Sequence, residues 1–286
     1  AYVTGETDDS ISWFSRNSDT GFLSYEGSIY DPEADGLDSP QRVILSPDNQ
    51  YAYVTADGDH SVSWFSRNSS TGELTYAATL KDGAGGGSGL SGAKGITISS
   101  DGLFAYVVGH SDHSVSWFSR IAATGALSFE GLIRDVEDSG TVDGLSFPVD
   151  VILSANEGFI YVSSLQDDSV SWFSRDSGTG GLTYQGMVKD GLSGSEGLDG
   201  AYGLNISSDG NLLYVAGHYE NSVAWYQCDP STGALTYGGV LRDDYGGADG
   251  LEGAQMVTIS PDGNFVYVNG KHDNAVSWYE KNASTG

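Results

Sequence analysis

An all-β propeller is the fold this sequence predicts, as six blades of four antiparallel strands with incomplete first and last blades. Three observations predict it. The segment Ser61-Val62-Ser63-Trp64-Phe65-Ser66-Arg67 recurs, with aromatic pairs at Trp13-Phe14, Trp64-Phe65, Trp117-Phe118, Trp172-Phe173, Trp225-Tyr226 and Trp278-Tyr279. A Thr-Gly follows each pair, at Thr20, Thr71, Thr124, Thr179, Thr232 and Thr285, spaced by 51, 53, 55, 53 and 53 residues. All 6 Trp of the chain fall at this one repeat position. Short strands repeating at about 50 residues are the mark of propeller blades; a seven-bladed ring is the alternative. The chain reads as one domain, 1–286, with repeats near 1–40, 41–93, 94–148, 149–201, 202–254 and 255–286.

One unit shows the elements in order. Val43-Ile44-Leu45-Ser46 is short and β-branched, as suits a strand covered on both faces. Pro47-Asp48-Asn49 turns the chain into a second strand at Tyr51-Ala52-Tyr53-Val54. A polar loop, Ala56 to His60, leads to the third strand, where Val62, Trp64 and Ser66 alternate with Ser63, Phe65 and Arg67. Asn68 to Gly72 turns again, and a fourth strand runs from Leu74 to about Lys81-Asp82. No window carries an apolar stripe of helical period. The chain opens at Ala1-Tyr2-Val3, matching a second strand, and stops before a fourth. Such ends read as those of a processed product, an excised fragment or an incompletely determined sequence.

Composition removes several functions. With 12 Lys+Arg against 39 Asp+Glu the net charge is -27, which repels nucleic acid and anionic membrane surfaces. No apolar run is long enough to span a bilayer, so no membrane insertion is expected. A single Cys excludes a disulfide framework, and 6 Trp, 17 Tyr and 10 Phe are too many for a disordered acidic chain.

These units resemble the lactonase-like β-propeller family, which includes 6-phosphogluconolactonase-type proteins and many secreted bacterial repeat proteins. The residues carrying the resemblance are Ile259-Ser260-Pro261-Asp262-Gly263-Asn264-Phe265-Val266-Tyr267-Val268, Asp273-Asn274-Ala275-Val276-Ser277-Trp278-Tyr279 and Ser231-Thr232-Gly233-Ala234-Leu235-Thr236-Tyr237. It covers essentially the whole chain and implies a propeller. It also implies that an enzyme of this kind gathers Arg, His and acidic side chains near the central axis.

Residues present in every blade are read as structural. Thr-Gly forms a turn in which glycine supplies positive φ. The acid before the third strand (Asp8, Asp59, Asp112, Asp167, Glu220, Asp273) is expected to accept backbone N–H groups. The Trp set is expected in the inter-blade core or on a half-buried outer face, with sugar stacking as the sharper alternative. Arg16, Arg67, Arg120 and Arg175 read as a partly solvated face paired with acids, and Cys228, at the same position, as a surface or edge thiol. The loop leading into each new blade opens with Asp and carries a Gly-Leu at Gly36, Gly89, Gly144, Gly197 or Gly250. Its carboxylates and carbonyls make Ca²⁺ a candidate ligand, although the spacing fits no standard calcium loop and no cofactor is required by the reading.

The informative positions are those where blades differ. The loop after the second strand holds Glu6, Asp57, His110, Leu165, His218 and Lys271 at one place. The start of the first strand holds Gln41, Lys94, Val149, Tyr202 and Gln255, then Arg42, Gly95, Asp150, Gly203 and Met256. Both segments belong to one face, so Gln41, Arg42, Lys94, His110, Asp150, Tyr202, His218 and Gln255 are the candidate lining of a polar axial pocket. A histidine there can act as a base, and Arg or Lys can stabilise an oxyanion.

The favoured reading is a secreted, extracellular, non-catalytic binding protein, lectin-like or adhesive. Near-identical blades would present several copies of one weak site to a carbohydrate or small-molecule ligand. A lactone hydrolase acting from the axial pocket and a structural repeat domain of a larger surface protein are the alternatives.

Overall fold

The computed structural model of the chain describes residues 1–135 and 142–282. The last Thr-Gly, Thr285-Gly286, and residues 136–141 of the loop expected from Asp135 to Val149 lie outside them. Among the described residues there is no helix, and the strands form six antiparallel sheets, the blades of a β-propeller. The first sheet holds β1 (Tyr2–Gly5), β2 (Ser10–Arg16) and β3 (Leu23–Tyr30); the second β4 (Pro40–Leu45), β5 (Tyr51–Ala56), β6 (Ser61–Arg67) and β7 (Leu74–Lys81); the third β8 (Ala93–Ile98), β9 (Phe104–Gly109), β10 (Ser114–Arg120) and β11 (Leu127–Arg134). The fourth holds β12 (Pro148–Leu153), β13 (Phe159–Ser164), β14 (Ser169–Arg175) and β15 (Leu182–Lys189); the fifth β16 (Ala201–Ile206), β17 (Leu212–Gly217), β18 (Ser222–Cys228) and β19 (Leu235–Arg242); the sixth β20 (Ala254–Ile259), β21 (Phe265–Gly270) and β22 (Ala275–Glu280). The chain divides into two compact units, Ala1–Leu132 and Ile133–Gly286, with the boundary inside β11.

Within each unit the first strands of successive sheets are neighbours: β4 with β8 in the first, β12 with β16 and β16 with β20 in the second. Apolar faces then close between adjacent sheets. In the first unit Tyr53, Val62 and Trp64 pack with Ile96, Phe118 and Leu127; in the second Tyr161 and Val170 pack with Leu204, Tyr226 and Leu235.

A hydrogen-bonded lock accompanies this packing and explains the Thr-Gly repeat. The Tyr53 hydroxyl donates to the Gly125 carbonyl at 2.6 Å and accepts from Arg120 Nε at 2.7 Å, while an Arg120 NH2 group reaches Asp48 at 2.9 Å. Tyr2, Gly72 and Arg67 repeat the arrangement one blade earlier, both bonds at 2.6 Å. The expected partly solvated face holds only in part: Arg16 is exposed and Arg67 half-buried, whereas Arg120 is 5% and Arg175 8% exposed. Cys228 likewise is no surface thiol. It is 8% exposed, bonded to the Tyr161 hydroxyl, and burial pushes its thiol up to about 11. Tryptophan faces a small residue across the outer strand pair, Trp13 opposite Gly27, Trp64 opposite Ala78, Trp172 opposite Gly186 and Trp225 opposite Gly239. Their indoles cover this cross-strand gap, leaving Trp13 and Trp64 buried, whereas Trp278, in the three-stranded last sheet, is 66% exposed.

The Gly-Leu loops are plugs. Leu37, Leu90, Leu145, Leu198 and Leu251 are all 0% exposed. The Asp that opens the loop accepts the leucine N–H, Asp82 from Leu90 at 3.0 Å, Asp190 from Leu198 at 3.1 Å and Asp243 from Leu251 at 2.8 Å. The acid before the third strand accepts the next N–H, Asp59 from Asp38 at 3.0 Å, Asp167 from Ser146 at 2.6 Å and Asp273 from Glu252 at 2.7 Å. The glycine carbonyl is taken by third-strand serines, Gly36 by Ser61 and Ser63 at 3.2 and 3.0 Å. A side chain on Gly36, at φ 111, would fall on Ser63 Oγ, so the position is closed to other residues.

Candidate functional site

Each first strand begins irregularly. The ladder shifts register between Pro40 and Arg42, Ala93 and Ile96, Pro148 and Asp150, Ala201 and Leu204, and Ala254 and Met256. Such bulges leave backbone groups unpaired and re-aim side chains. All ten residues at the two aligned first-strand positions that vary between blades sit in or beside these bulges, among them Gln41, Arg42, Lys94, Asp150, Tyr202 and Gln255. The eight expected pocket residues fall four in each unit.

In the first unit the polar positions are cross-linked. Gln41 Nε2 donates to Glu6 Oε1 at 3.1 Å and to the Ser39 carbonyl at 3.2 Å. Lys94 Nζ lies 3.8 Å from Asp57 Oδ2. The Arg42 N–H donates to Thr55 Oγ1 at 3.2 Å, and that hydroxyl donates to the Lys94 carbonyl. His110 is half-buried, its N–H bonded to the Gly92 carbonyl at 2.9 Å.

The second unit brings four expected residues into one connected patch. Asp150 is 1% exposed; its Oδ1 accepts from the Val151 N–H at 2.9 Å and its Oδ2 from the Leu204 N–H, in the next blade, at 3.0 Å. Ser163 Oγ accepts the Asp150 N–H at 3.2 Å and donates to the Tyr202 carbonyl. The Tyr202 ring lies 5.8 Å from the His218 ring, and Gly203 backs directly onto the Gln255 carbonyl. Two residues that sequence comparison did not single out complete the patch: Tyr219 at 5.1 Å and His272 at 5.7 Å from His218. They share a loop position held elsewhere by Thr7, Gly58, Ser111 and Gln166, and that change to large rings was the available signal. His218 is half-buried and its Nδ1 is buried with no hydrogen-bond partner, a nitrogen that water or a bound ligand can satisfy.

Among the described residues the acidic loops hold two carboxylate groups, Asp31 with Asp35 and Asp59, and Asp135 with Asp143 and Asp167, each with oxygens within 4.8 Å. Burial and the charges of Asp59 and Asp35 raise the Asp31 carboxyl. Burial alone would also raise Asp59, but hydrogen bonds from Lys81 and the Asp38 N–H prevail and lower it. Lys81 Nζ stands 2.7 Å from both Asp35 and Asp59, Lys189 lies 3.7 Å from Asp167, and Arg242 bridges Glu196 and Glu220 in the following blade. A cation from the end of the fourth strand thus already sits among these carboxylates.

The family model described as "Lactonase, 7-bladed beta-propeller" matches residues 8–191 and 187–286. The chain belongs to the lactonase family. Among curated proteins none matches it. This lactonase-family chain is similar in structure to a putative 6-phosphogluconolactonase from Bacteroides uniformis ATCC 8492, with TM-score 0.79 and 18% identity over 100% of this chain and 78% of that one. It is similar too to the periplasmic gluconolactonase PpgL of Pseudomonas aeruginosa, with TM-score 0.77 and 20% identity over 97% of this chain and 74% of that one. At these identities the likeness is one of fold. The family model is seven-bladed, whereas six sheets are described here.

Family membership overturns the expectation of a non-catalytic, lectin-like or adhesive binding protein. The matched spans belong to a family named for lactone chemistry. The repeated aromatics expected to offer faces to sugars are also largely spent on packing, with Phe65, Phe118 and Phe173 at 0% exposure and Trp13 and Trp64 buried.

Proposed function

We propose that this protein hydrolyses a sugar lactone, and that residues around His218 carry the chemistry. The observation that carries the reading is the lactonase match across residues 8–191 and 187–286. The patch in the second unit supports it: a histidine with an unsatisfied buried nitrogen, flanked by Tyr202, Tyr219 and His272.

The chemistry asked of such a patch is modest. Water adds to the lactone carbonyl while neutral His218 accepts its proton, giving a tetrahedral oxyanion. Collapse breaks the bond to the ring oxygen, which leaves with that proton as a hydroxyl, and the product is the open hydroxy acid. Histidine suits both transfers because its ordinary pKa lies near neutrality. Hydroxyl and imidazole groups beside it can donate to the oxyanion. In the first unit, Arg42 and Lys94 are the cations present at the equivalent bulges.

Acid release from gluconolactone and from its 6-phosphate, followed against spontaneous hydrolysis, tests the proposal. His218→Ala is expected to lose about 10²–10⁴-fold in kcat, the usual worth of general acid–base catalysis. Wild-type rates equal to background on both lactones would overturn the reading. Arg42→Ala, assayed in parallel, tests the first unit separately.

A further inference from the structure

We propose that Asp150 is a positioning residue for His218, acting through the backbone of the neighbouring blade. The proposal rests on the lactonase reading for its kinetic part only.

The starting point is the bulge at the head of β16. The register shifts between Ala201 and Leu204, Leu204 rejoins the ladder opposite Val215, and a buried N–H facing away from that ladder needs another acceptor. Asp150 Oδ2 accepts that N–H at 3.0 Å from the preceding blade. Ser163, bonded to the Asp150 N–H at 3.2 Å, donates to the Tyr202 carbonyl. The three-residue segment from Tyr202 to Leu204 is therefore tied at both ends to one neighbour. The side chain it carries outward is Tyr202, whose ring lies against His218 at 5.8 Å.

The other blades show that this double tie is not general to the fold. In the second blade the corresponding residue is Arg42, whose N–H donates to Thr55 Oγ1, and the Thr55 hydroxyl donates across to the Lys94 carbonyl. In the fifth, Gly203 stands where the carboxylate would be; in the sixth, Met256 does, and its N–H is satisfied within its own sheet by Asn269 Oδ1 at 2.6 Å. A buried carboxylate is costly unless its oxygens are hydrogen-bonded. At 1% exposure Asp150 meets that demand with the Val151 and Leu204 N–H groups. The junction where Asp150 reaches the Leu204 N–H is also the one that presents Tyr202 to His218.

The test compares wild type with Asp150→Ala, Asp150→Asn and Ser163→Ala. Two readouts are taken: kcat and KM for lactone hydrolysis, and the imidazole resonances of His218 by NMR, with His110 in the first unit as the internal control. Asp150→Ala is expected to lower kcat about 10²-fold with KM within about twofold, as small misplacements of a catalytic group do, and to shift or broaden the His218 resonances while His110 stays in place. Asp150→Asn, which keeps an acceptor oxygen for only one of the two N–H groups, is expected to fall between. If Asp150→Ala does not fold, Asp150→Asn and Ser163→Ala decide. Unchanged His218 resonances in the folded variants overturn the proposal, whatever happens to kcat. A wild type without lactonase activity would sink the functional reading and leave the NMR comparison standing.

Discussion

Cys228 and Asn156 differ together from their counterparts Arg120 and Asp48. Where the lock holds Arg120, the Asp48 carboxylate faces it; where it holds a thiol, Asn156 instead donates to the Pro230 carbonyl at 2.8 Å. Cys228→Arg is therefore expected to destabilise by about 3–5 kcal/mol, the cost of a buried charge without its partner. Asn156→Asp in the same chain should recover part of it, a coupling that a double-mutant cycle in urea would measure. With its thiol raised to about 11 by burial, Cys228 is expected to resist thiol reagents at pH 8 in the native protein and to react on unfolding. Residues at this scale were the least legible from sequence. Arg120 looked like one more charged strand residue because its partner, Tyr53, lies 67 positions away. Asp150 and Leu204 meet beside two bulges, and a bulge has no composition of its own.

Elements were far more legible, because each is written several times. The third strand's two-residue alternation and the Thr-Gly turn give the sheet order directly, and the lock explains why the turn must recur. Positions at the first-strand heads were found by comparing blades, while their grouping was legible only in part: Tyr202 and His218 meet, but Tyr219 and His272 were missed since neither recurs. The Gly-Leu plug makes a sharp prediction of its own. Leu198→Ala, at 0% exposure, is expected to cost about 2–5 kcal/mol, read as a fall in Tm. In the acidic loops, the ammonium of Lys81 occupies the space between Asp35 and Asp59. Millimolar calcium is accordingly expected to move the wild-type Tm by no more than about 1 °C, and a larger rise would indicate specific binding.

At the scale of the whole molecule, charge dominates. A net charge of -27 with a pI near 4.1 opposes the compact state at neutral pH, so added salt is expected to raise Tm at pH 7. The carboxyls give the pH dependence its sign. Asp31 and Asp199 are raised, first by burial and then by neighbouring carboxylates, so the native state holds their protons more tightly and stability grows as pH falls through their raised values. Burial would raise Asp48 too, but hydrogen bonds from Ser46, the Gln50 N–H and Arg120 lower it; Asp59 follows the same pattern. Their stabilisation is complete above the unfolded value near 3.9 and is lost as pH drops through their lowered ones. Calorimetry should therefore find the highest Tm on the acid side of neutrality, with a fall below about pH 4; a Tm that climbs steadily from pH 5 to 8 would contradict this balance. The lock between blades also has a polarity. Tyr2 and Tyr53 each join a glycine carbonyl and a guanidinium of the following sheet, and Tyr161 joins the Cys228 thiol. Blades are thus teeth cut for a particular neighbour, and shuffled chimaeras should assemble only where the tooth and its notch carry matching charge.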